Sequence, residues 1–119
     1  MATERLFHLA LRRDWEAAQA AGEYRVSTLG RSLEDEGFLH ASYAHQWEGV
    51  RQAYYAEVTE PLLLLEIDPA GLDVPVRVET PAGADQAFPH IYGALPVSAV
   101  VAVTDVTGPA GGRPEPVAR

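Results

Sequence analysis

Apolar residues in this chain fall into short blocks separated by polar, Gly-marked and Pro-marked breaks, and the spacing inside each block predicts its element. Leu6 to Leu11 reads Leu-Phe-His-Leu-Ala-Leu, which predicts a strand with His8 on the face opposite Phe7, Leu9 and Leu11. A helix is expected next, with Asp14 as its N-cap, Trp15, Ala18 and Ala21 at helical spacing, and Gly22 ending it in a left-handed turn. Residues 23–36 are polar and irregular. Gly37 to Ser42 predicts a second short strand that carries Phe38, His40 and Ser42 on one face, and Ser42 is also placed to cap a following helix. In that helix Tyr43, Trp47, Val50 and Tyr54 form the expected buried stripe, with Glu48, Arg51 and Gln52 towards water.

Leu62 to Ile67 is continuously apolar apart from Glu66 and ends in Asp68-Pro69-Ala70-Gly71, the signature of a central strand closed by a turn. Val74, Val76 and Val78 alternate with Pro75, Arg77 and Glu79, which predicts a half-buried strand with Arg77 and Glu79 on its outer face and Pro75 at a sheet edge or strand start. Val97 to Val106 is the last strongly apolar stretch. Residues 108–119 are rich in Gly and Pro without apolar periodicity, which predicts a flexible tail. The blocks add up to a single α+β domain over residues 1–107, a small mixed or antiparallel sheet with two main helices.

Composition narrows the partners more than the fold. A length of 119 residues suits one core, and 47% hydrophobic with 22% charged residues is ordinary for a globular domain. The net charge of −8 gives no general attraction to phosphate polyanions, so neither duplex nucleic acid nor an anionic membrane is an expected partner. With no cysteine there is no disulfide framework, thiol nucleophile or cysteine zinc site. No basic-then-apolar signal segment opens the sequence, and the apolar run Pro61 to Leu65 is too short to span a bilayer, so the expected location is cytoplasmic.

The familiar short motifs are absent: no P-loop, Gly-x-Gly-x-x-Gly, His-Glu-x-x-His or Gly-x-Ser-x-Gly. Candidate chemistry therefore rests on polar residues set in apolar strands. His8, His40 and His90 either satisfy the core or, if their strands adjoin, open into one cleft. Glu79 is the best-placed carboxylate for proton abstraction or for stabilising a cationic centre, with a surface partnership to Arg77 as its plain alternative. Phe88-Pro89-His90-Ile91-Tyr92-Gly93 reads as a stiff loop, in which Tyr92 offers a flat face and His90 a ring donor or acceptor. The histidines lack His-x-His or His-x3-His spacing, so no metal site is expected.

Two segments taken together carry a resemblance: Glu36-Gly37-Phe38-Leu39-His40-x-Ser42, followed by Gln46, and Phe88-Pro89-His90-Ile91-Tyr92-Gly93. With Leu6-Phe7-His8-Leu9, Asp14-Trp15, Ser32-Leu33, Leu64-Leu65-x-Ile67-Asp68 and Glu79, the sequence resembles the DUF952 family, small bacterial proteins of uncharacterised function. Ala41 stands where the family commonly has cysteine. The resemblance implies a small relative of the ADP-ribosyltransferase fold, a split, strongly bent sheet with a nicotinamide-dinucleotide cleft between its halves. It further implies a transferase or hydrolase acting on NAD or an ADP-ribose-like nucleotide. His40, Glu79 and His90 are then the candidate catalytic residues, and His8, Ser42, Gln46 and Tyr92 the candidate ligand-binding residues. The alternative is a non-catalytic module that binds a nucleotide or small metabolite in the same cleft.

Overall fold

A computed structural model of the chain describes residues 4–108 and 114–117. The first strand, β1 (Leu6–Leu11), runs directly into helix α1 (Arg12–Ala21). The N-cap is Leu11 and not the expected Asp14: the helix begins three residues early, and the Arg12 N–H is taken by the Pro61 carbonyl. Asp14 instead sits in the first turn, where a carboxylate complements the helix dipole. Gly22 ends the helix as expected, at φ 92°, with its N–H on the Ala18 carbonyl.

The stretch read as irregular contains three short strands and a helix: β2 (Glu23–Tyr24), β3 (Val26–Thr28), β4 (Arg31–Ser32) and α2 (Leu33–Glu36). A capping box starts α2, in which Ser32 Oγ accepts from the Asp35 N–H and Asp35 returns the bond to the Ser32 N–H. Next come β5 (Leu39–His40), α3 (Trp47–Tyr54), β6 (Leu62–Ile67), β7 (Val76–Glu79), β8 (Phe88–Ile91), β9 (Leu95–Pro96), β10 (Val100–Asp105) and β11 (Glu115–Val117). Single 3-10 turns at Pro69–Gly71 and Val97–Ala99 precede β7 and β10.

All pairings between these strands are antiparallel, so the expected α+β class stands with an antiparallel sheet system. The largest sheet has the order β1-β6-β10-β11, and a second has the order β5-β8-β7. Two further pairs, β2 with β9 and β3 with β4, complete the fold. Glu115–Val117, inside the segment expected as a tail, pairs with Val103–Asp105 at the outer edge. The rest of that tail beyond Gly108, apart from Pro114, lies outside the described residues.

Strand β6 is central and covered on both faces, as its unbroken apolar run requires. Leu63, Leu65 and Ile67 join Trp15 and Ala18 of α1 in one core cluster, while Leu62 and Leu64 join Val50 and Tyr55 from the α3 side in the other. Leu39 and Ile91 bury the back of the second sheet in the first cluster. The front of that sheet is thereby left for polar side chains.

Two faces expected to be buried are only partly so. Helix α3 starts at Trp47 with Gln46 as N-cap, and Ser42 instead pairs its main chain with Phe7. The helix therefore buries Val50 and Arg51, while Tyr54 stays 61% exposed. Arg51 reaches the Val106 carbonyl and, at 2.5 Å, the Gly108 carbonyl, which ties α3 to the end of β10. In β7 Arg77 and Glu79 share a face with His90 and Phe88, and Val76 and Val78 share the other face with the buried Ile91 and Pro89 but stay 37% and 57% exposed at the sheet edge. The edge position expected from Pro75 is observed.

Candidate functional site

The residues expected as a stiff loop, Phe88 to Ile91, are the central strand of the second sheet. Register then fixes the site. His40 pairs with His90, and Arg77 pairs with His90 from the other side, so the three side chains stand in one row across the sheet. Phe88 and Glu79 form the adjoining row. Pro89 has no N–H to give to the ladder, and its carbonyl accepts from the Ala41 N–H at 3.0 Å. Gly93 is required by close approach, since a Cβ there would lie 2.5 Å from Val74 Cγ1.

Glu79 organises this face. Its Oε1 lies 2.8 Å from His90 Nδ1 and accepts the Tyr92 hydroxyl at 2.5 Å. These two bonds hold the Glu79 carboxyl below the usual glutamate range, and the same carboxylate raises the Tyr92 hydroxyl. An ionised carboxylate only accepts, so His90 carries a proton on Nδ1 and turns Nε2 away from Glu79. That Nε2 is buried with no hydrogen-bond partner, and so is Nε2 of His40.

Aromatic contacts fix the rings. Phe38 lies flat on His90 with centroids 4.0 Å apart and planes at 9°. His40 stands 5.5 Å from His90 and 5.0 Å from Phe88, and Arg77 lies over the Tyr92 ring at 5.2 Å. Burial first, then the neighbouring His8 and His90, push the His40 imidazole down to about 4, so it is neutral at pH 7.

The other sequence-predicted residues take different places. His8 is buried on β1 and its Nδ1 is 2.6 Å from the His40 carbonyl, so it supports the strand that carries His40. Burial lowers its imidazole as well. Ser42 is buried beside it and lines only a small hollow between β1 and α3. Gln46 is fully occupied, accepting from the Tyr43 N–H and donating to Gln86 Oε1 and the Ala87 carbonyl, both at 2.8 Å. It thereby anchors the loop that leads into β8.

Two hollows meet at His40. One, of about 580 Å³, is walled by Arg31, Glu36, Phe38 and His90, and the other, of about 330 Å³, lies between α3 and the loop at residues 81–86. His40, Tyr54, Pro81 and Ala82 border both. Glu79 and Tyr92 border neither, and stand behind His90. Among the described residues no group of His, Asp or Glu is arranged to hold a metal ion.

A family model described as a protein of unknown function, DUF952, matches residues 9–103. The chain belongs to the DUF952 family. The matched span includes every one of the rows and hollows above except the β1 start at His8. Among solved structures, the crystal structure of protein CC0527 from Caulobacter crescentus is similar at 28% identity over 93% of each chain, with a TM-score of 0.73. Its solution NMR structure is similar at 27% identity over 91% of this chain and 89% of that one, with a TM-score of 0.71. No curated protein matches.

Within this DUF952 fold, sequence reasoning missed three contributors. Phe38 is placed by its own strand face, and its alternation with His40 is the signal that marks it. Ser27 accepts from the His40 N–H at 3.1 Å and donates to Glu36 Oε1 at 2.6 Å, which brings Glu36 to the cleft wall. Nothing in the local pattern of residues 23–36 announces that pairing. Tyr54 is the third, hidden because the apolar stripe assigned it to the core.

Proposed function

We propose that this DUF952 protein is a hydrolase or transferase that acts on NAD or an ADP-ribose-like nucleotide in the cleft in front of His40 and His90. The observation that carries the reading is the Glu79–His90 contact at 2.8 Å with His90 Nε2 left unpartnered beside the cleft. An imidazole oriented by a carboxylate, with its second ring nitrogen unpartnered, is suited to general-base work. In the hydrolytic form a water oxygen bonds to C1′ of the nicotinamide ribose, the C1′–N bond breaks, and nicotinamide leaves with that electron pair. The water's proton passes to His90 Nε2 and then to solvent. Arg31 on the cleft wall, 3.8 Å from the Glu36 carboxylate, offers the cation that a pyrophosphate needs in an otherwise acidic chain.

The ADP-ribosyltransferase-like relationship is part of this proposal, with the roles shifted. Glu79 acts through His90 in place of touching the ribose, and His8 supports His40 from behind. Nicotinamide release from NAD, measured with wild type and with His90→Gln, tests the reading. Release that His90→Gln removes supports it, and no release together with no NAD-dependent rise in melting temperature at millimolar ligand removes NAD as substrate.

A non-catalytic binding module is the second reading. It is favoured by Phe38 lying flat over His90, which shields the ring from bulk water. Ligand-dependent stabilisation without turnover is its expected signature.

A further inference from the structure

We propose that the slot between α3 and the loop at residues 81–86 takes a flat heterocycle, and that adenine is the ring it fits. The inference rests on the nucleotide reading for its ligand class and adds where the base lies. Its first support is Gly49. Glycine inside a helix is unfavourable by about 1 kcal/mol relative to alanine. Nothing in the packing requires it, because a Cβ at Gly49 would meet no atom within 4 Å. Gly49 nevertheless borders the slot, so the missing side chain keeps that space open.

The second support is Tyr54. At 61% it is more exposed than Val78, Leu29 or Val76, the other exposed large hydrophobic residues, and it borders both hollows. An aromatic ring left to water at a cleft gains by being covered, and a planar ring covers it best. Ala53 beside it and Ala82 and Gly83 of the facing loop bring only small side chains to this part of the slot, and Val50 and Phe88 give it apolar walls. Its volume of about 330 Å³ is at the lower end for small-molecule sites, enough for a base and part of a ribose.

The polar ends of the slot suit a purine edge. Gln46 Nε2 holds Gln86 Oε1 at 2.8 Å, which turns the Gln86 amide so that its Nε2 protons are available as donors to a ring nitrogen. The Asp85 carboxylate next to it accepts from an exocyclic amine. His40 stands at the inner end, where the two hollows meet. A base in this slot therefore directs its ribose and phosphates across His40 towards Arg31 and His90.

The test uses AMP as probe and ribose 5-phosphate as the control that lacks the ring, followed by amide chemical shifts of the full chain. AMP is expected to move the Gly49, Ala53 and Ala82 amides, and ribose 5-phosphate to leave them in place. Gly49→Leu, which fills the slot without touching His40 or His90, is expected to weaken AMP at least about tenfold while the fold is retained. Gly49→Ala, a better helix former, is expected to raise the melting temperature and serves as the check on folding. AMP that binds Gly49→Leu as well as wild type, that shifts only other amides, or that does not bind at millimolar concentration overturns the proposal. Slot binding without nicotinamide release from NAD removes the catalytic reading and leaves the base slot standing.

Discussion

Glu79 Oε1 lies 2.8 Å from Nδ1 of His90, across neighbouring antiparallel strands and one row apart in register. The strand alternation that sets Val76 and Val78 on the face of Ile91 and Pro89 turns Glu79 to the face of His90. The same carboxylate also receives the Tyr92 hydroxyl, so one side chain sets the tautomer of a buried imidazole and pins the end of β8.

Glu79→Gln tests that arrangement through pH. The folded Glu79 carboxyl is held below its usual value, so its contribution is fully present above the unfolded glutamate pKa and is lost as pH falls through the folded value. Denaturant unfolding of wild type and Glu79→Gln is expected to show a stability gap at neutral pH that narrows on acidification. A gap that is constant with pH contradicts the account.

His40 gives a second titration with the window on its acid side. Its folded pKa of about 4 lies below the ordinary 6.5, so the unfolded chain binds the proton first and stability falls as pH drops from 6.5 towards 4. The expected loss across that window is on the order of 2–3 kcal/mol. Histidine ring shifts followed by NMR should place the His40 midpoint near 4. A midpoint at the ordinary value means that the ring is not enclosed as described.

Gly93→Ala is expected to destabilise by about 1–3 kcal/mol, the range for overpacking in a filled interior. The added methyl would come within 2.5 Å of Val74 Cγ1 and 2.9 Å of its Cβ, so β8 and the approach to β7 must separate. Thermal unfolding measures it. Recovery of the wild-type midpoint in Gly93→Ala with Val74→Ala would tie the loss to this one contact.

Arg51→Met should cost about 2–3 kcal/mol, because the bonds removed are charge-assisted and leave the Val106 carbonyl buried without them. Denaturant unfolding gives the loss, and an unchanged midpoint would show that α3 is held to β10 by packing alone.

Much of the fold was legible where burial is two-sided or local chemistry is strong. The unbroken apolar run of β6, the Gly22 terminator and the edge position signalled by Pro75 all read directly from sequence. What failed were faces decided by long-range contacts. The exposed Val76 and Val78, the buried Arg51 and the exposed Tyr54 each oppose hydrophobicity, because β7 lies at a sheet edge and α3 begins later than its apolar stripe suggests. The grouping of His40, His90, Glu79 and Tyr92 depends on β5 and β7 flanking β8, which no sequence spacing reveals. Their residue types were visible, and their adjacency was not.

The proposed role of His90 as an oriented base at a nucleotide cleft is tested most directly by nicotinamide release from NAD with wild type, His90→Gln and Glu79→Gln. The predicted result is release by wild type, loss in His90→Gln, and a reduction of about 100-fold or more in Glu79→Gln, the scale of a positioned general base. Equal release by all three, or no release with an unmoved melting temperature in millimolar NAD, would contradict it.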